Sequence, residues 1–381
     1  MKVALVGTSY PFRGGLAAYN ERLVLEYQNQ GHDVTLYTFT LQYPNFLFPG
    51  KTQLSSDPKP DNLNIVECIN SINPFNWLKV GKKLRKEKPD LLIIKYWLPF
   101  MGPCFGTILR QVKKNQHTKI VCIVDNMIPH ESRLGDKLAT KYFVKPVDAF
   151  VAMSKSVLDD IEIFEKDKPK VLSPHPLFDN FGDKVSKAEA CDFLGIDPNF
   201  QYILFFGLIR DYKGLDILIK AFSDNRFRNK NLKLLIAGEY YSKPDYYQDL
   251  IKKHELEREV IQIQKFIPDS EVRFVFNAAD LIVQPYKTAT QSGVTQIAYH
   301  FEKPMVVTNV GGLAELCPDG KVGYVTGVDE QEIAEAIIKY YDSTDHQKML
   351  DNIQEEKKKY SWGIMVNAVN DLMKRINEVR K

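Results

Sequence analysis

Residues 202–222 read YILFFGLIRDYKGLDILIKAF, and their order decides the fold. Tyr202, Ile203, Leu204, Phe205 and Phe206 form a short unbroken apolar run, the pattern of a buried strand. A loop follows that begins at Gly207, ends at Gly214 and holds Arg210 and Lys213 between them. Residues 215–222 then read as a helix. A buried strand, a short loop and a helix make up the repeating unit of parallel sheets with helices on both faces. Such sheets bind ligands beyond the carboxyl ends of their strands. Two cations in a loop at that edge suit an anion, because a guanidinium forks across phosphate oxygens and an ammonium adds a compact charge. A solvated basic turn is the plainer reading of the same residues.

Working outward, the alternation recurs on both sides. Strand patterns occupy 2–6, 33–39, 91–95, 120–124 and 149–153, with a helical pattern over 16–30. The stretch 173–200 holds Pro174, Pro176, Gly182, Gly195 and Pro198 and no long apolar strand, so it reads as a linker. Further strand patterns follow at 233–237, 260–264, 281–284, 305–308 and 323–325. The expected fold is therefore α/β, with two Rossmann-like doubly wound domains, 1–180 and 195–360, facing a cleft.

Composition narrows the function. A chain of 381 residues is long enough for two cored domains. The formal net charge of +3 gives no bulk case for a nucleic-acid partner. Cys68, Cys104, Cys122, Cys191 and Cys317 are scattered and lack a Cys-x-x-Cys pair, so neither a disulfide framework nor a zinc site is expected. The apolar run after Met1 is too short for a signal-peptide core, and no run reaches bilayer-spanning length. A cytoplasmic protein is expected, with any membrane contact peripheral at the inner face.

Three more loops have chemistry suited to a site. Gly14 and Gly15 follow the first strand and open a helix, where glycines allow close approach and the helix end offers N–H groups to an anion. A tight turn would need the same residues, and the full Gly-x-Gly-x-x-Gly fingerprint of dinucleotide binding is absent. After the strand pattern at 281–284, Gln291, Ser292, Gly293 and Val294 enter another helix, and backbone N–H groups there suit a phosphate. Asp125 and His130 lie just past the strand pattern at 120–124, where a loop histidine can be an acid, a base, a ligand or a surface residue.

Taken together these segments resemble glycosyltransferase family 4, whose members have the GT-B fold and mostly retain anomeric configuration. The likeness covers nearly the whole chain and is strongest over 203–325. Gly207 to Gly214 resembles the family's phosphate loop, Gly-Arg-x-x-x-x-Lys-Gly. Phe266-Ile267-Pro268-Asp269 is similar to the loop whose backbone meets the nucleobase. Residues 303–312, from Lys303-Pro304 to Gly311-Gly312, are similar to the Gly-x-Pro-Val-Val-x-x-x-x-Gly-Gly segment. Tyr360-Ser361-Trp362 resembles the start of the last helix, and 361–381 is expected to pack back towards the N-terminal domain.

The departures are specific. Leu208 stands where the phosphate-loop arginine usually follows the first glycine, so Arg210 must substitute. The family's donor loop carries two glutamates separated by seven residues, yet no acidic residue occurs over 281–301. Gln296 is a candidate for a ribose hydroxyl, and Asp125 stands where the family has a histidine. The chain resembles a divergent subgroup.

The resemblance implies a hexose-type transfer from a UDP- or GDP-sugar, with no cofactor and no metal. Asp125, His130, Arg210 and Lys213 are the candidate catalytic residues. Gly14, Gly15, Gly207, Arg210, Lys213, Phe266, Ile267, Gln291, Ser292, Gly293, Val294 and Gln296 are the candidate donor-binding set. A glycan or lipid-linked acceptor of cell-surface polysaccharide synthesis is expected. Lys79, Lys82, Lys83, Arg85, Lys86 and Lys88 form either a solvated helix face or a basic surface for an anionic bilayer or lipid diphosphate. Trp97-Leu98-Pro99-Phe100-Met101 shapes either an acceptor site or core. A nucleotide-sugar epimerase and a non-catalytic nucleotide-sugar-binding partner stay open as alternatives, and a dehydrogenase would need the missing fingerprint.

Overall fold

The apolar runs fold into two parallel sheets. The structure, a computed structural model, describes residues 1–44, 48, 50–129, 134–228, 230–290 and 292–379. The chain divides into two units, Met1–Pro176 with Ser361–Lys381, and Leu177–Tyr360.

The first unit begins with β1 (Lys2–Val6), α1 (Gly15–Asn29) and β2 (Asp33–Leu41). It continues with β3 (Ile65–Asn70), α2 (Pro74–Glu87), β4 (Leu91–Tyr96) and α3 (Gly102–Lys113). Next come β5 (Lys119–Val124), α4 (Asp136–Val144), β6 (Ala149–Ala152), α5 (Lys155–Phe164) and β7 (Lys170–Leu172). The strands form one seven-stranded sheet in the order β3-β2-β1-β4-β5-β6-β7. Every neighbouring pair is parallel. All six residues of β4 and all four of β6 are buried, as strands covered by helices on both faces must be. Each such Leu, Ile or Val contributes about 1.5–3 kcal/mol relative to exposure.

Two edge strands were not anticipated. β3 has only Ile69 fully buried, and Glu67 interrupts its apolar residues. β7 is three residues long with none buried. An edge strand needs no two-faced apolar run, so it leaves little periodic signal.

The second unit starts with α6 (Lys187–Leu194), inside the segment expected as a linker. Ser186 caps its start by accepting from the Glu189 N–H at 3.1 Å. Then follow β8 (Gln201–Phe206), α7 (Leu215–Phe222), β9 (Leu232–Ala237), α8 (Pro244–Lys253) and β10 (Val260–Ile263). The unit continues through α9 (Asp269–Ala278), on which α6 packs, then β11 (Leu281–Gln284), α10 (Gly293–His300) and β12 (Met305–Thr308). It closes with β13 (Gly323–Thr326), α11 (Glu330–Asp342) and α12 (His346–Glu356). Its six-stranded sheet runs β10-β9-β8-β11-β12-β13, again parallel throughout.

The last helix, α13 (Trp362–Val379), belongs to the first unit. Its buried residues Met365, Val366, Val369, Leu372 and Ile376 recur at helical spacing, and it packs against α1, β5, β6 and β7. Trp362 is buried against Tyr19, with ring centroids 5.0 Å apart. Among the described residues no helix is long and apolar enough to cross a membrane.

Candidate functional site

Each sheet reverses its strand order at one place, between β1 and β4 in the first and between β8 and β11 in the second. Beyond the carboxyl ends of the strands, such a switch point is where open α/β sheets leave room for a ligand.

In the second unit the loops after β8 and β11 flank that point. The Gly207 N–H donates to the Ala237 carbonyl at 2.9 Å, and the Ile209 N–H to the Glu239 carbonyl at 2.9 Å. The loop after β8 therefore runs on beside the loop after β9. Gly238 allows this, since a Cβ there would stand 1.8 Å from the Gly207 carbonyl oxygen. A single tight turn over Asp211–Lys213 follows and ends at Gly214, whose φ of 67° is left-handed. A Cβ at Gly214 would lie 1.9 Å from the Pro285 carbonyl oxygen, so the loop after β11 is held equally close.

This stacking brings the expected residues together. Lys213 Nζ lies 2.9 Å from where a Cβ on Gly207 would be, and Val294 Cγ2 lies 4.0 Å from the same point. Lys213 is half-buried, with its ammonium 5.3 Å from the Tyr286 ring centroid. Burial pulls its pKa below the ordinary lysine value, and the Arg210 charge adds to that, against an opposing contribution from Tyr212. Arg210 is exposed, 5.1 Å from the Tyr241 ring centroid. Among the described residues neither cation has a carboxylate partner. Lys287, in the neighbouring loop, is by contrast neutralised by Asp211 at 2.9 Å and Asp216 at 3.1 Å. Two unneutralised cations therefore remain at the switch point.

The start of α10 differs in one respect from expectation. Ser292 Oγ accepts from the Val294 N–H at 3.2 Å, so that N–H, expected to face a phosphate, is spent within the helix cap. Serine at this position satisfies the second helical N–H. Gly293 is the first residue of α10, and a Cβ there would stand 2.7 Å from the Phe178 ring. Gln296 lies one turn on and is fully buried, and neither Oε1 nor Nε2 has a hydrogen-bond partner among the described residues. Leaving such a group unsatisfied costs about 1–3 kcal/mol. Beyond β10, Phe266 is half-buried and Ile267 is 5% exposed, so the Ile267 side chain belongs to the core. Gln291 lies outside the described residues.

In the first unit, Gly14 occupies the cap position of α1 with φ 98°, and Gly15 is its first residue. Among the described residues no side chain caps this helix, and none lies within 4 Å of a Cβ built on Gly14. Asp125 follows β5 directly, and its N–H donates to the Tyr96 carbonyl at 2.8 Å. His130 and Glu131 lie outside the described residues.

Asp125 has a partner that sequence reading missed. Lys95, 2% exposed on β4, places Nζ 3.0 Å from Asp125 Oδ1. The same ammonium sits 3.1 Å from the Tyr19 ring centroid, and His175 meets that ring edge-on at 5.1 Å. Burial lowers the Lys95 pKa, while Asp125 opposes the shift. Burial and the Lys95 charge push His175 down to about 3, so it is neutral at pH 7. The available signal was a lysine ending the apolar run of β4, since a charge in a two-faced buried strand requires a partner. At the carboxyl end of β2 a cavity of 440 Å³ is lined by Phe12, Thr40, Tyr43, Lys51 and Gln53 among others. Among the described residues no group of three or more His, Cys, Asp or Glu is placed to hold a metal.

Two parallel Rossmann-like sheets, each with a switch point beyond its strand ends, are the architecture of the GT-B fold. Solved structures agree on the fold. Sucrose-phosphate synthase from Thermosynechococcus elongatus superposes with a TM-score of 0.75 at 15% identity, covering 99% of both chains. Anabaena HepE, solved in complex with UDP-glucose, superposes with a TM-score of 0.70 at 15% identity, covering 100% of this chain and 99% of its own.

The family follows from sequence. Residues 13–174 match the model of Glycosyltransferase Family 4, and 186–360 that of Glycosyl transferases group 1. An uncharacterized glycosyltransferase of Methanocaldococcus jannaschii is 24% identical over 383 residues, covering 99% of each chain. The chain belongs to glycosyltransferase family 4 and is a transferase enzyme.

Proposed function

We propose that this glycosyltransferase moves a hexose-type sugar from a nucleotide-diphosphate donor held by the second unit. The carrying observation is the pair Arg210 and Lys213, without a carboxylate partner among the described residues, at the switch point of the second sheet, beside Gly207 and the N-terminus of α10. A diphosphate supplies the missing negative charge. It accepts from Arg210 and Lys213 and from the Gly293 N–H, where the helix end adds about 0.3–1 kcal/mol. The base lies along Phe266 and the Ile267 backbone. Gln296, fully buried with both amide atoms closed to solvent, is out of the donor's reach in this structure and is not counted among its contacts. The UDP-glucose bound to HepE is a donor of this chemical class.

As the diphosphate departs, negative charge grows on its oxygens and the sugar becomes oxocarbenium-like. Cations fixed beforehand at that place stabilise the growing charge without reorganising. In this reading Arg210 and Lys213 do the neutralising and no metal takes part. Gly14 and Gly15, candidates for donor contact, lie with Asp125 in the first unit, on the side by which the acceptor enters, with His130 as a further candidate there. The acceptor is a glycan or a lipid-linked glycan of cell-surface polysaccharide synthesis, and the anomeric configuration is retained.

Thermal unfolding with a panel of UDP- and GDP-sugars tests the donor site. A ligand at 100 times its Kd should add about 2.7 kcal/mol to wild-type stability. The Arg210→Ala, Lys213→Ala double variant should lose that gain. Equal stabilisation of both proteins, or none of the wild type at saturating concentration, would remove the donor site from these residues.

A further inference from the structure

The first unit exposes large apolar side chains where its helices begin. Phe75, in the first turn of α2, is 85% exposed, and Ile72 just before it is 50% exposed. Leu134, just ahead of α4, is fully exposed, and Leu138 in its first turn is 74% exposed. In a parallel sheet the helix after a strand starts at that strand's carboxyl end. α2 follows β3 and α4 follows β5, and both flank α3 in one helical layer. These four side chains therefore share the carboxyl edge of the sheet, where Gly14, Gly15 and Asp125 also lie.

Cations stand directly behind them. On α2, Phe75, Lys79, Lys82 and Lys86 follow one another at spacings of four, three and four, so they line one helix face. The opposite face buries Val80 and Leu84. The acid within α2, Glu87, is engaged by Tyr37 and Lys83. Lys137 and Lys141 are exposed on α4, with Asp136 as the acid in its first turn.

We propose that this edge of the first unit docks on an anionic bilayer, with Phe75 and Leu138 entering the headgroup layer and the lysines of α2 and α4 meeting lipid phosphates. A helix face that joins protruding apolar residues to lysines has the composition of an interfacial helix. A protein partner fits less well, because lysine is depleted from protein–protein interfaces. Docking here would present the edge proposed for the acceptor to lipid-borne glycans. The inference rests on the acceptor reading for its purpose but is independent of the donor site.

The test is cosedimentation of the full chain with phosphatidylcholine vesicles, with and without phosphatidylglycerol, over a series of salt concentrations. Binding should require phosphatidylglycerol and weaken as salt rises. Phe75→Ser with Leu138→Ser should weaken it roughly tenfold or more, from the apolar area lost. Lys82→Gln with Lys86→Gln should weaken it by roughly tenfold or more at low salt and flatten the salt dependence. All four side chains are exposed, so thermal unfolding and its response to nucleotide sugars should match wild type. That response also separates failure here from failure of the donor site. Three results would overturn the proposal: no wild-type binding to anionic vesicles at low salt, undiminished binding by the Phe75→Ser, Leu138→Ser variant, or a concentration-dependent dimer that the same two substitutions abolish without any vesicle binding.

Discussion

Replacing Lys213 by methionine keeps most of the side-chain length and removes the charge, and it should act with opposite signs on stability and on binding. In the unliganded protein Lys213 is half-buried near Arg210, and its pKa lies below the ordinary 10.5 because burial penalises the ammonium. Between the folded value and 10.5 the unfolded chain therefore binds more protons than the folded one. The stability contributed by this group is lowest below that window and rises with pH through it. At pH 7 the charged lysine is thus a cost, and unliganded Lys213→Met should be at least as stable as wild type.

With the donor bound the sign reverses. A unit charge about 4 Å from a phosphate, at an effective dielectric of about 20, attracts by about 4 kcal/mol before desolvation. The net loss of one charge-assisted hydrogen bond is about 1.5–3 kcal/mol, roughly 10- to 100-fold in donor affinity. If the contact strengthens as the diphosphate leaves, kcat falls by about 10²–10³. Unfolding with and without the donor, together with initial rates of nucleoside diphosphate release, measures all three. A Lys213→Met protein that is clearly less stable when unliganded, yet binds and turns over donor normally, would refute the reasoning and make Lys213 a structural residue.

Two further outcomes concern the buried cluster of the first unit. Asp125→Ala leaves the Lys95 ammonium buried without its 3.0 Å partner and should destabilise the fold by about 3–5 kcal/mol in urea unfolding. Adding Lys95→Met should restore much of that loss, whereas strictly additive effects would mean the pair is not coupled. His175, pushed down to about 3 in the fold from an ordinary 6.5, makes stability depend on pH. Its contribution is complete above pH 6.5 and is lost as pH falls from 6.5 towards 3, because the unfolded chain takes up the proton first. His175→Asn should flatten the stability profile over that window, and an unchanged slope would show that another group sets it.

Much of the fold was legible because strands buried on both faces leave unbroken apolar runs. β1, β4, β5 and β8 could be read from such runs alone. β3 and β7 could not, since strands at a sheet edge carry mixed residues. The helix α6 was hidden in a proline- and glycine-rich stretch, although its Ser186 cap and the glycine after it are ordinary helix boundary signals.

The sequence by itself determined the repeated strand–loop–helix units, the two-sheet α/β class, and the placing of Gly207, Arg210 and Lys213 in one loop after a strand. These are local properties, carried by residues within a few positions of one another. Only the tertiary structure decided which loops meet. Strand order placed the switch points, and glycines at 214 and 238 let three loops stack backbone to backbone. Pairing across loops neutralised Lys287 and not Lys213, and Asp125 acquired Lys95 from the neighbouring strand. Whether a charge is paired or left open depends on residues far apart in the chain, and no periodicity in one segment records that meeting.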